Sequence, residues 1–159
     1  MKVRFYSNHG GDMLYYNYDK LKLISVNIKE SLVDLDNALA AYDDMKDKRN
    51  MEEIIANSIR MSFVQIKEEI FSAIASILKS SGLSVNTFRN NIDMIEECRE
   101  NGYFTELDNE FFIILNKYSN SACHRYKQPS IDDIKVFYEA RKEQIIHILS
   151  DLDKITSGK

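Results

Sequence analysis

Ile55-Ala-Asn-Ser-Ile59-Arg-Met-Ser-Phe63-Val-Gln-Ile66-Lys-Glu-Glu-Ile70-Phe-Ser-Ala-Ile74-Ala-Ser-Ile77 places a large apolar residue at every third or fourth position. That step matches the 3.6-residue turn of an α-helix, so the seven numbered residues form one stripe along a long rod. A stripe of this length needs a core to cover it. Asn50-Met-Glu-Glu53 upstream has the form of a capping box, and Gly82 downstream is a stop.

The same period extends outward in both directions. Asn17 can cap a first helix carrying Leu21, Ile24, Ile28, Leu32, Leu35 and Leu39, with a charged link from Asp43 to Asn50. Asn86 or Thr87 opens a shorter helix that runs through Glu100 and closes at Gly102, and Thr105-Glu-Leu-Asp108 opens a fourth. Pro129 ends that helix, because it disfavours helical geometry at Gln128 and brings no backbone N–H. Ser130-Ile-Asp-Asp133 then starts a last helix with Ile134, Phe137, Arg141, Ile145, Ile148, Leu152 and Ile155 along one side. Within that pattern His147 reads as a packed or capping histidine, and Thr156 to Lys159 as a fraying end.

The first residues alternate differently. Val3 and Phe5, then Leu14 and Tyr16, flank Asn8-His-Gly-Gly-Asp12, the pattern of a β-hairpin with His9 in its turn. The expected fold class is therefore all-α: an antiparallel four-helix-type bundle over residues 17–156 with an additional short helix, preceded by an accessory N-terminal hairpin over 1–16.

Composition narrows the classes of function. The 159 residues are 44% apolar and 29% charged, with 5 Gly and 1 Pro, which suits one globular helical domain. With 21 basic and 25 acidic side chains the net charge is −4, which argues against nonspecific binding to DNA or to an anionic membrane. No apolar run approaches the 18 residues of a membrane span, and Met1-Lys-Val-Arg-Phe-Tyr-Ser-Asn has no apolar signal region. Cys98 and Cys123 have no metal-ligand spacing. A cytoplasmic protein with reduced thiols, no membrane and no cofactor is expected. The sequence has no glycine-rich phosphate loop and no identifiable Ser-His-Asp arrangement. The acidic pairs, such as Glu52-Glu53, Glu68-Glu69 and Asp132-Asp133, read as helix starts or solvated faces.

One stretch stands out chemically. Tyr118-Ser-Asn-Ser-Ala-Cys-His-Arg-Tyr126 lies in a window from Phe111 to Ile131 that holds no Asp or Glu but holds Lys117, His124, Arg125 and Lys127. On a helix Asn120 and His124, four apart, share a face, and Lys117 returns to it two turns before His124. Arg125 and Tyr126 point elsewhere unless the helix ends there. The plain alternative is that His124 complements the negative end of a helix dipole and that Asn120 helps terminate the helix.

From about Leu21 to Leu152 the chain resembles the nucleotidyltransferase substrate-binding branch of the HEPN superfamily. That family's motif is Arg-Asn-x-x-x-His-x-Tyr, against Ser119-Asn120-Ser-Ala-Cys-His124-Arg-Tyr126 here. Ile59 to Ile70 resembles the branch's long second helix, and Asn86 to Gly102, with Arg89, Ile92, Ile95 and Gly102-Tyr103, resembles its next segment. The resemblance implies a homodimeric helical partner of a minimal nucleotidyltransferase, within a toxin-antitoxin module, which binds nucleotide or RNA phosphate through Asn120, His124, Arg125 and Tyr126. In relatives of that kind the motif tyrosine receives an adenylate, which makes Tyr126 the residue to examine. The alternative it implies is a metal-independent endoribonuclease toxin with His124 as general acid/base, Asn120 orienting the phosphate, and Lys117 or Arg125 replacing the missing arginine. Ser119 weighs against the nuclease, since a hydroxyl cannot stand in for a permanently charged guanidinium with five donors.

Overall fold

The computed structural model describes residues 5–7, 13–15, 17–45, 49–80, 82, 90–105, 109–122, 124 and 127–157. Two three-residue strands, β1 (Phe5–Ser7) and β2 (Met13–Tyr15), pair antiparallel with Phe5 opposite Tyr15 and Ser7 opposite Met13. The turn expected around His9 lies outside the described residues. Among the described residues five helices follow: α1 (Tyr18–Asp44), α2 (Arg49–Ser80), α3 (Asn91–Glu100), α4 (Asn109–Ala122) and α5 (Ile131–Ser157).

Side-chain caps set several of the helix ends. Asn17 Oδ1 accepts the Lys20 N–H at 3.0 Å, and Ser130 Oγ accepts the Asp133 N–H at 3.0 Å, so both first turns begin where the sequence proposes. The start of α3 differs. Asn86 and Thr87 lie outside the described residues, while the helix opens at Asn91, capped by Asn90, whose Oδ1 accepts the Asp93 N–H at 3.0 Å. Several capping residues stand within a few positions here, and local preference alone does not choose among them. At its other end Tyr103 N–H donates to Cys98 O at 2.8 Å and Gly102 N–H to Arg99 O at 3.0 Å. This Schellman pairing needs a left-handed residue, and Gly102 supplies it at φ +87°. Phe104, at φ 54°, accepts the same unusual region while its ring is buried. Thr156 and Ser157, expected to fray, are helical, with their hydroxyls donating to Asp153 O and Lys154 O.

The α2 stripe is the spine of the core. Ile59, Phe63, Ile66, Ile70, Ile74 and Ile77 are buried, and Ile55 is half-buried. Around it pack α1, α3, α4 and α5. Phe137 of α5 is a meeting point, stacked on Phe111 of α4 at 5.9 Å and met edge-on by Phe63 of α2 and Tyr118 of α4 at 5.8 Å each.

Polar contacts give the direction of each rod. Asn27 bonds Glu69, and Tyr42 bonds Glu52, so α2 runs antiparallel to α1. Ser25 and Lys29 meet Asp153, Asp36 meets Tyr138 and Lys142, and Asp43 meets Lys135, so α5 also runs antiparallel to α1. Glu110 pairs with Arg141 while Tyr118 reaches Phe137, which sets α4 antiparallel to α5 and therefore to α2. The result is a helical bundle with its C-terminal end of α4 beside the N-terminal ends of α2 and α5.

The α1–α5 seam holds a buried phenol. Tyr138 Oη donates to Asp36 Oδ1 at 2.7 Å, and Lys142 Nζ pairs with Asp36 at 2.8 Å while lying 5.5 Å from the Tyr138 ring centre. Burial first, then the bond to Asp36 and its charge, hold the Tyr138 hydroxyl well above its ordinary range. A raised phenol favours the folded state while the unfolded tyrosine is still neutral, below about pH 10, and that advantage is lost as pH climbs through the folded value. Urea unfolding should therefore show Tyr138→Phe less stable than the wild type by about 1.5–3 kcal/mol at pH 8. The gap should narrow above pH 10, and a gap independent of pH would contradict this account.

Candidate functional site

The motif begins on α4, whose two faces have different neighbours. Phe111, Phe112, Leu115, Ser119 and Ala122 are buried, whereas Ile113, Lys117 and Asn120 are exposed. Lys117 and Asn120, three apart, thus share the outer face. Ser119, four residues beyond Leu115, falls on the core stripe and is 1% exposed.

The helix stops at Ala122, two residues before His124. Four carbonyls at such an end lack intrahelical donors. Here His124 N–H donates to Ser121 O at 3.1 Å, and Gln128 Nε2 folds back to donate to Ala122 O at 3.3 Å. Lys127 N–H donates to His124 O at 3.0 Å, which tightens the turn, and buried Pro129 leads into the Ser130 cap of α5. His124 is exposed on this turn. Asn120 is on the last turn of α4, and His124 lies beyond the helix end on the turn that follows. Cys123, Arg125 and Tyr126 lie outside the described residues.

The electrostatics of this end follow from the rod's direction. A helix C-terminus carries the negative end of the dipole, so His124 and Lys127 complement it, and any anion docking there must be held by side-chain cations and not by backbone amides. Lys117 and Lys127 make no ion pair among the described residues. Across the bundle end, Tyr42 Oη donates to Glu52 Oε1 at 3.2 Å. Burial, the Glu52 bond and the Glu52 and Asp132 charges raise the Tyr42 phenol, while the Arg60 guanidinium pulls it down. Arg60 is thus electrically close to this end, although it was not among the residues singled out from the sequence. Its only signal there was a cation placed next to the core stripe.

The remaining reactive groups are elsewhere. Cys98 is fully buried on α3, and burial, with a smaller effect from Glu97, pushes its thiol up to about 12, so at neutral pH it is protonated and a poor nucleophile. His147, expected to be packed or capping, is exposed on α5. Among the described residues, clefts of about 350–400 Å³ are lined by Glu96, Arg99, Glu100 and Thr105; by Tyr103, Asp151, Lys154 and neighbours; and, in the α1–α2 groove, by Ala38, Ala41, Ser58 and Ser62. Among the described residues no group of three or more His, Cys, Asp and Glu is placed to hold a metal ion, and no helix is long and apolar enough to cross a membrane. No family model, curated protein or solved structure matches this chain.

Proposed function

We propose that this chain is a HEPN-type partner of a minimal nucleotidyltransferase, a substrate-binding subunit of a toxin-antitoxin module that takes up nucleotide or RNA phosphate beside Asn120, His124 and Tyr126. In this reading residues 17–156 are a homodimeric four-helix-type bundle with α3 as the additional helix, the N-terminal hairpin is accessory, and the protein is cytoplasmic. The observation that supports it best is the division of α4. Lys117, Asn120 and His124 are open to solvent, whereas position 119, where the family motif carries arginine, faces the core. A partner can therefore reach the polar residues of the motif, and the group that nuclease chemistry would most need is replaced by a packed serine.

The test is group transfer to the motif tyrosine. Tyr126 Oη attacks the α-phosphorus of ATP, the bond from that phosphorus to the bridging oxygen breaks, pyrophosphate leaves and the phenolic proton passes to solvent. Incubated with ATP, Mg²⁺ and a minimal nucleotidyltransferase encoded beside it, the wild type should gain adenylate mass at Tyr126 by peptide mapping, and Tyr126→Phe should not. An unchanged wild-type mass would sink the reading. RNA cleavage in EDTA that disappears in His124→Ala would replace it with the endoribonuclease, with Lys117 or Arg125 as its cation.

A further inference from the structure

Position 119 cannot present a cation to the motif, but the neighbouring helix can. Phe71 of α2 packs edge-on against Phe112 of α4 at 6.2 Å, which fixes the register of these two antiparallel rods. Arg60 lies eleven residues before Phe71. At 100° per residue those eleven steps return to within about 20° of the same direction, so Arg60 shares the α4-facing side of α2 with Phe71. They also carry it about 16 Å along the axis, level with the residue eleven beyond Phe112. That level falls one residue past Ala122, the end of α4, on the approach to His124.

The state of the Arg60 side chain suits this location. It is only partly exposed, its Nη1 meets Asn57 Oδ1 at 3.4 Å, and its Nε is buried with no hydrogen-bond partner among the described residues. Buried guanidinium nitrogens ordinarily find acceptors, and a missing one calls for an explanation. No carboxylate pairs with it among the described residues. Farther along the same side, Lys67 is buried beside the Phe71 ring and paired with Glu68 at 2.8 Å. Its charge is thus already matched locally, while that of Arg60 is not.

Resting on the phosphate-binding part of the function proposed above, we infer that Arg60 of α2 is the guanidinium of this site, holding a nucleotide or RNA phosphate against the His124 turn in place of an arginine at position 119. A guanidinium offers a planar fork to two phosphate oxygens, which neither Lys117 nor Lys127 can do. Its approach from a second helix also supplies positive charge where the α4 dipole opposes an anion.

The experiment is a titration of the whole protein with AMP, and separately with a short single-stranded RNA, followed by NMR at the Arg60 Nε–H and the His124 ring. Both signals should move saturably with the probe whose phosphate the site takes. Arg60→Gln should weaken that binding about tenfold or more, the worth of a hydrogen bond to a charged group, and Arg60→Lys should recover part of it. Lys22→Ala, on an exposed face of α1, should bind as the wild type. Saturable shifts at His124 with an unmoved Arg60 Nε–H and unchanged affinity in Arg60→Gln would overturn the inference and leave the site standing. Absence of saturable shifts with either probe would also overturn it, and the adenylate mass at Tyr126 would then judge the partner function independently.

Discussion

Phe111→Ala should destabilise the protein by about 3–5 kcal/mol, the cost of emptying a fully buried aromatic site. The ring is 0% exposed and links three rods, stacked on Phe137 of α5 and set edge-on to Phe112 at 5.0 Å, which in turn meets Phe71 of α2. Deleting it removes apolar contact and leaves a void that the surrounding helices cannot fully close, because they are held from other sides. For a chain of this size the loss corresponds to a fall in Tm on the order of 10 °C. Urea unfolding should show a lower midpoint at an unchanged slope. Ile113→Ala, two residues along and 51% exposed, should stay within about 0.5 kcal/mol of the wild type. A Phe111→Ala loss below about 1 kcal/mol would mean that the three-helix junction is not packed as described.

Ser119→Arg, which would complete on paper the motif that the chain resembles, should be comparably damaging. The site is 1% exposed, on the stripe that includes Leu115 and Ala122. Overpacking alone typically costs about 1–3 kcal/mol, and an unpaired buried charge adds several more unless the side chain escapes to solvent. Arg60, brought by register to the same end of the bundle, would repel it further. Thermal unfolding should therefore show a loss of more than about 3 kcal/mol, with no RNA cleavage gained. A variant as stable as the wild type that cleaves RNA in EDTA would show that position 119 can turn outward, and would favour the nuclease over the partner.

Much of the local structure could be read from spacing. The α2 stripe, the Asn17 and Ser130 caps and the Gly102 stop depend on neighbours within a few residues, where helical period, capping oxygen and left-handed backbone leave few alternatives. The start of α3 was less legible because several asparagine and threonine residues compete to cap it. His147, read as packed or capping, is exposed on α5, because apolar period places a residue only to within part of a turn and a position at the edge of a stripe can face either way.

The candidate site divides in the same manner. Sequence by itself determined that this is a helical chain with an acid-free polar stretch around His124, and which side chains that stretch contains, since both follow from composition and a period of a few residues. Tertiary structure alone decided that α4 ends before His124 and that Ser119 faces the core while Lys117 and Asn120 do not; the inferred approach of Arg60 from more than fifty residues away rests likewise on the Phe71–Phe112 contact between α2 and α4. These depend on the register between packed rods, which is set by the fit of Phe71, Phe111, Phe112 and Phe137 and has no counterpart in the spacing along a single helix.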